Sequence, residues 1–183
     1  MDYMIDTSNK DTEEVLKIAK EYCDKNEFQN IVVATTRGET GAQAADIFEE
    51  KNVVAVTHST GFRDEGEQEL KDENRKKMEE QGVDIFTGPM PFHSWNDYYR
   101  KQKGSIMPTT IIADTLRLLG QGTKVCVEIV SMATDAGFVP PEPVLAVAGT
   151  GYGTDTVLLI EGRNSRKFFE MKVKEVIAKP MDF

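Results

Sequence analysis

The chain has 183 residues, with 22 Lys and Arg against 31 Asp and Glu, which gives a formal net charge of −9. This acidic balance argues against binding to a nucleic-acid backbone, which needs clustered Lys and Arg, and no apolar run reaches the ~20 residues of a membrane-spanning helix. Since the start of the chain lacks the features of a secretory signal, and Cys23 and Cys126 show no metal or redox spacing, we expect a cytoplasmic protein with a single domain over residues 1–183.

Short apolar runs alternate with helical patterns along the chain. A helix is predicted over residues 9–26, where Asp11 and Glu14 have the spacing of a capping box. Strands are predicted over residues 31–35, 53–57, 83–86, 144–148, 154–161 and 168–177, the last of them at an edge of the sheet. Further helices are predicted over residues 40–51, 65–81, 109–119 and 123–136.

The first four predicted strands after the opening helix are short, rich in β-branched residues and not alternating, which is typical of strands buried on both faces of a parallel sheet. The repeated strand–helix order implies right-handed crossovers with helices on both faces. We therefore predict an α/β fold, a three-layer α/β/α sandwich with a mostly parallel mixed sheet. In such folds ligands bind beyond the carboxyl ends of the strands, so the residues that follow each strand are the candidates for a site.

The loop after the first of these strands is the first candidate. It combines glycines for tight turns, threonine hydroxyls and a positive side chain with the start of a helix, whose free N–H groups suit a phosphate. The alternative is an ordinary strand-to-helix turn with a threonine cap. The pattern differs from that of nucleoside triphosphatases, so that class is disfavoured. The candidate residues are Thr35, Thr36, Arg37, Gly38, Glu39, Thr40 and Gly41.

The loops after the next two strands carry both histidines of the chain, His58 and His93. Because both follow predicted strand ends, they are the candidate catalytic residues, although a lone histidine is more often structural or solvated. The candidate binding residues in these loops are Thr57, His58, Ser59, Thr60, Gly61 and Phe92.

A fourth loop, after residues 144–148, alternates glycine with threonine and tyrosine. Its glycines allow a backbone to approach a ligand and donate to an anion, whereas the alternative is a tight turn between two strands. The candidates are Gly149, Thr150, Gly151, Tyr152, Gly153 and Thr154. Together the four loops predict a polar cleft for a small phosphorylated ligand.

Charged residues outside these loops give weaker signals. The acids show no cluster with His or Cys, so a metal site is not supported. Glu128 lies on the predicted helix 123–136, and the pattern leaves open which way it faces. Arg37 is the one cation that we place near the loops.

Two segments resemble the C-terminal α/β domain of pyruvate kinase: residues 30–57 (NIVVATTRGETGAQAADIFEEKNVVAVT) and residues 144–162 (VLAVAGTGYGTDTVLLIEG). In the kinase the corresponding loops build an allosteric sugar-bisphosphate site. The resemblance implies a phosphate held by Thr35, Thr36, Arg37, Gly38 and Thr40, with Gly149, Gly151 and Gly153 facing it. Because 183 residues leave no room for the catalytic barrel of the kinase, we expect no kinase activity.

The whole chain is similar to a small archaeal family of stand-alone domains of this type, including the segments PMPFH (residues 89–93) and VEIVSMATDAG (residues 127–137). This resemblance implies flavin mononucleotide (FMN) as the cofactor. Its phosphate would lie at the turn 36–40, its ribityl hydroxyls along residues 57–60, and its isoalloxazine ring near Phe92, His93 or Trp95.

Three functions stay open. The first is binding of a phosphorylated small molecule, FMN above all. The second is a flavin-dependent oxidoreductase, in which His58 or His93 donates a proton near neutral pH. The third is a sugar-phosphate hydrolase or transferase with one histidine as base, although the chain lacks a Ser/His/Asp or Cys/His constellation. No nucleic-acid or membrane partner is expected, and a homo-oligomer is one alternative for the assembly.

Overall fold

The computed structural model describes residues 4–183, so the first three residues of the predicted domain lie outside the described range. The strands are β1 (Ile5–Asp6), β2 (Asn30–Ala34), β3 (Asn52–Val56), β4 (Asp84–Phe86), β5 (Pro143–Ala148), β6 (Thr156–Glu161) and β7 (Lys172–Lys179). The helices are α1 (Thr12–Asn26), α2 (Glu39–Ile47), α3 (Asp72–Glu80), α4 (Ser94–Lys103), α5 (Pro108–Arg117) and α6 (Gln121–Asp135), with a 3-10 helix at Ser165–Glu170.

All seven strands form one mixed sheet in the order β1-β7-β6-β5-β2-β3-β4. Strand β2 pairs in parallel with β3 and β5, and β3 pairs in parallel with β4. Strand β6 runs antiparallel to both of its neighbours. From β2 the chain moves outward to β3 and β4 and then returns to the other side of β2 as β5. The strand order therefore reverses between β2 and β5, which is where open α/β sheets place their ligands.

Helices cover both faces of the sheet, as the sequence predicts. Alternate residues of the strands point to opposite faces: Ile31 and Val33 belong to one apolar core together with residues of α1, α2 and α3. Val32 belongs to the second core, with residues of α5 and α6. The molecule is thus a three-layer α/β/α sandwich, and no helix within residues 4–183 is both long and apolar enough to cross a membrane.

Helix α1 begins as predicted, because the carboxylate of Asp11 accepts the N–H of Glu14 at 2.9 Å and the Glu14 carboxylate accepts the N–H of Asp11 at 3.0 Å. The prediction of a helix over residues 65–81 is wrong in its first part, since α3 begins only at Asp72. Residues 65–71 form a loop instead. A left-handed backbone at Gly66 (φ 79°) and a hydrogen bond from the N–H of Leu70 to the side-chain oxygen of Gln68 take the place of helical geometry.

Helix α4 was not predicted, because its aromatic residues at helical spacing cover only one turn and residues 100–103 are all polar. Only Asn96 is buried in it, while Trp95, Tyr98 and Tyr99 are exposed.

The end of the chain also differs from the prediction. Residues 168–170 belong to the 3-10 helix and β7 begins at Lys172. Strand β7 is not at the edge, because the two-residue strand β1, too short to leave a sequence pattern, pairs with it in parallel.

Candidate functional site

A cleft of about 490 Å³ lies at the carboxyl ends of β2, β3 and β5, where the strand order reverses. Eleven of the predicted site residues line it, namely Thr35, Thr36, Arg37, Glu39, Thr40, Thr57, His58, Gly149, Gly151, Tyr152 and Gly153. His93, the second candidate catalytic residue, lines it as well. Helix α6 forms one wall, which we call the α6 wall, through Gln121, Lys124, Val125, Glu128, Ile129 and Met132.

The turn from β2 into α2 presents the start of a helix to the cleft. Gly38 is the N-cap of α2 with φ 98°, and as a glycine it has no side chain with which to cap the helix. A Cβ at Gly38 would lie 2.5 Å from Cβ of Asn74 and 2.6 Å from Cδ1 of Leu70, so only glycine fits there. Of the first-turn amides, Gly41 N–H donates to Thr35 Oγ1 at 3.3 Å. The uncapped N-terminus makes this end of the cleft favourable for an anion.

Two opposite charges stand at this end of the cleft. The Arg37 guanidinium lies 5.4 Å from the centroid of the Tyr152 ring. The Glu39 carboxylate accepts a hydrogen bond from Lys71 Nζ at 2.7 Å, and this contact lowers the pKa of Glu39. Glu39 is therefore ionised at neutral pH, and its charge opposes an incoming phosphate while Arg37 attracts one.

Both histidines belong to a row of three rings beside the cleft. The centroid of Phe62 lies 4.0 Å from that of His58 and 4.7 Å from that of His93. Glu69 orients His58, since its Oε2 lies 2.7 Å from Nδ1 while its Oε1 pairs with Nε of Arg63 at 2.8 Å. Nε2 of His58 has no hydrogen-bond partner within residues 4–183, so it is free to meet a ligand.

His93 is half-buried, as His58 is. Burial lowers its pKa, the charge of Lys124 acts in the same direction, and Asp97, whose Oδ2 lies 3.7 Å from Nε2, opposes them. The net effect is a lowered pKa, so His93 is neutral at pH 7.

The α6 wall holds a charged pair, of which the sequence pattern singles out only Glu128. Lys124 is 2% exposed and Glu128 is 1% exposed. Nζ of Lys124 lies 2.5 Å from Oε2 of Glu128, and the backbone N–H of Phe92 donates to Oε1 of Glu128 at 2.7 Å. Arg37 is therefore not the only cation at the cleft. The available signal was a Lys and a Glu four residues apart on a helix, with only the apolar residues Val125, Cys126 and Val127 between them.

The loop between β5 and β6 is closed by its own contacts. A Cβ at Gly149 would lie 2.6 Å from the carbonyl oxygen of Gly153, so the two arms of the loop touch. Oδ2 of Asp155 accepts the N–H of Thr150 at 2.9 Å, and the hydroxyl of Thr154 donates to the carbonyl of Ala148 at 2.7 Å. The glycines allow this close packing, and the backbone of the loop then faces the cleft.

The remaining predicted binding residues lie outside the cleft lining: Gly38, Gly41, Ser59, Thr60, Gly61, Phe92, Thr150 and Thr154. Thr150 and Thr154 line a neighbouring cavity of about 410 Å³. Phe92 is buried, with its ring 5.7 Å from Nζ of Lys124. Trp95 is 67% exposed on α4, because the chain turns into that helix directly after His93.

No known family model matches the chain. Among solved structures it is similar to a pyruvate kinase from Cryptosporidium parvum, with 12% sequence identity and a TM-score of 0.43. The match covers 83% of this chain and 23% of the kinase, so the chain spans less than a quarter of that protein. The function therefore has to be argued from the geometry of the cleft.

Proposed function

We propose that the chain binds a small phosphorylated molecule in the cleft, and that FMN is the ligand. The observation that carries this proposal is that one cleft joins an uncapped helix N-terminus and Arg37 to a row of aromatic rings. Its volume of about 490 Å³ falls in the range of ligand pockets, ~300–1,000 Å³. The resemblance of the sequence to the archaeal family supplies the choice of FMN.

The chemical groups of FMN have counterparts along the cleft. Thr36, Arg37 and the N–H groups that open α2 suit the phosphate. The ring of Phe62 and the side chain of Met90 offer surface to a flat heteroaromatic ring. The ribityl hydroxyls have fewer partners than the sequence suggests, since the Thr57 hydroxyl is already within 2.6 Å of the Thr87 hydroxyl.

A flavin-dependent oxidoreductase is the second candidate function. FMN, when bound, supplies the electron transfer, and the chain positions it and handles protons. The observation that favours this function is the pair of histidines on one side of the cleft, with His58 oriented by Glu69 and His93 neutral at pH 7.

A sugar-phosphate hydrolase or transferase fits less well. His58 with Glu69 resembles a base held by an orienting carboxylate. However, neither Ser nor Cys lines the cleft within the described chain, and Cys126 is fully buried, which raises the pKa of its thiol far from the reactive range.

A fluorescence titration of the purified chain with FMN tests the proposal, with riboflavin as the matched ligand that lacks only the phosphate. We expect saturable binding, tighter for FMN than for riboflavin, and a rise in melting temperature with FMN. Equal affinity for the two ligands would place the phosphate outside the site. Failure to bind either one would overturn the proposal.

If FMN binds, anaerobic mixing with NADH or NADPH separates the two leading functions. Loss of the visible flavin absorbance indicates an oxidoreductase, whereas an unchanged spectrum with both donors favours a binding domain.

A further inference from the structure

The buried pair of Lys124 and Glu128 is not explained by stability. Taking two charges out of water costs several kcal/mol per ion, and apolar replacements of buried ion pairs are often neutral or stabilising. Here both side chains are almost fully buried within the apolar layer formed by α6. A pair of this kind in the wall of a cleft is a candidate for ligand recognition.

The two side chains of the pair differ in how many of their hydrogen-bonding groups have partners. Both oxygens of Glu128 have partners, the Lys124 ammonium and the Phe92 N–H. The Lys124 ammonium has three donors. Within residues 4–183 one of them goes to Glu128, and its other close contact is the face of the Phe92 ring. Two donors on a side chain that lines the cleft are therefore left for a ligand.

Lys124 also lies on a different side of the cleft from the proposed phosphate site. Arg37 and the N-terminus of α2 come from the loop after β2, and α2 packs on one face of the sheet. Lys124 belongs to α6, which packs on the opposite face. The charge of Lys124 reaches the ring row, since it contributes to the lowered pKa of His93. The cleft thus offers Arg37 from one face of the sheet and Lys124 from the other, and it is also lined by Arg63, which is paired with Glu69.

We propose that Lys124 is a ligand-binding residue that donates hydrogen bonds to a carbonyl oxygen or an electron-rich ring nitrogen of the bound molecule. Glu128 is the positioning residue that holds the ammonium in place. This inference rests on the proposed function and deepens it: the ligand class becomes a phosphate ester that carries a dione or similar carbonyl-bearing ring, as the pyrimidine part of a flavin does.

The test compares FMN and riboflavin binding in the double variant Lys124→Met/Glu128→Gln, which removes both charges while the glutamine oxygen still accepts the Phe92 N–H. We expect both ligands to bind roughly 10- to 100-fold more weakly, because this is the contribution that hydrogen bonds from a charged group make to binding. The control variant Glu13→Gln/Lys17→Met makes the same changes in an exposed pair of α1 with the same spacing, and should bind as the native protein does.

A second measurement reports on the ring itself. The ammonium of Lys124, which in this proposal lies nearer to the flavin than the Glu128 carboxylate, favours the deprotonated form of the flavin N3–H, so this group should ionise at lower pH in the native complex than in the double variant. Absorbance titration of the bound flavin measures the difference.

The outcomes separate this inference from the proposed function. The double variant could bind both ligands as tightly as the native chain and show the same flavin ionisation. That result would overturn the role of Lys124 and leave the proposal of FMN binding intact. A loss for FMN alone would place the phosphate, not the ring, at Lys124 and would overturn it too. If the native chain binds no flavin, both proposals fail.

Discussion

The guanidinium of Arg37 lies over the ring of Tyr152, 5.4 Å from its centroid. This contact joins the loop after β2 to the loop after β5, the two loops that flank the reversal of strand order. It keeps a cation beside the start of α2.

Replacing Arg37 should weaken FMN binding and leave riboflavin binding unchanged. For Arg37→Gln we expect a loss of about 5-fold, because an exposed charge pair contributes up to ~1 kcal/mol. The control is Arg75→Gln, which removes a half-exposed arginine of α3 that does not line the cleft. An equal loss for riboflavin would show that Arg37 shapes the loop and does not meet the phosphate.

Removing the Glu39 charge should have the opposite effect. Glu39 stands in the first turn of α2, so its carboxylate competes with a phosphate for the same N–H groups. We expect Glu39→Gln to tighten FMN binding about 2- to 5-fold, consistent with the ~0.3–1 kcal/mol of such charge effects. Glu49→Gln, an equal charge change in the exposed segment after α2, should leave the affinity as it is. Weaker binding in Glu39→Gln would mean that this carboxylate accepts a hydrogen bond from the ligand.

His93 should make the stability of the chain depend on pH. Burial favours its neutral form, so its pKa in the folded state lies below the ordinary 6.5. At a pH between the pKa of the folded state and that of the unfolded state, the unfolded chain binds more protons than the folded chain. The free energy of unfolding therefore falls as the pH drops below about 6.5, by at most ~1.4 kcal/mol per pH unit.

Urea unfolding over this pH range, with the native chain and His93→Asn compared, isolates this contribution. The variant should lose less stability on acidification than the native chain. Identical pH profiles would show that His93 ionises alike in both states.

Removing the Glu128 carboxylate alone should destabilise the fold more than replacing Glu128 and Lys124 together. Glu128→Ala leaves a buried ammonium without its counterion and the Phe92 N–H without its acceptor, which should cost about 3–5 kcal/mol of unfolding free energy. Lys124→Met/Glu128→Gln should cost much less, because no charge is left behind. Denaturant unfolding of both variants measures the difference, and equal losses would contradict the unpaired-charge explanation.

The parts of the fold that follow from hydrophobic pattern were predictable. Strands such as β2 and β3 are short apolar runs, and their ends locate the rim of the sheet. The capping box at Asp11 likewise identifies the start of α1. For the same reason most of the loop residues at the cleft could be found before the structure was known.

The rest depends on tertiary packing that no local pattern encodes. The apolar pattern of α4 covers only one turn and is exposed, and β1 is two residues long. Lys124 and Glu128 form a pair whose spacing is visible in the sequence, but equally spaced pairs such as Glu13 and Lys17 are exposed. Only the packing of α6 against the sheet distinguishes the buried pair of Lys124 and Glu128 from the exposed pair of Glu13 and Lys17.

Because α4 buries so few side chains, we expect the side of the cleft next to α4 to open most readily. A ten-residue helix with one buried side chain has little to hold it, and the amide nitrogen of that side chain, Asn96 Nδ2, is itself unpartnered. We expect the amide protons of α4 to exchange with solvent well before those of α6. Because His93 directly precedes α4 and Phe92 is tied to Glu128, this local opening should extend as far as the histidine and end at the buried pair.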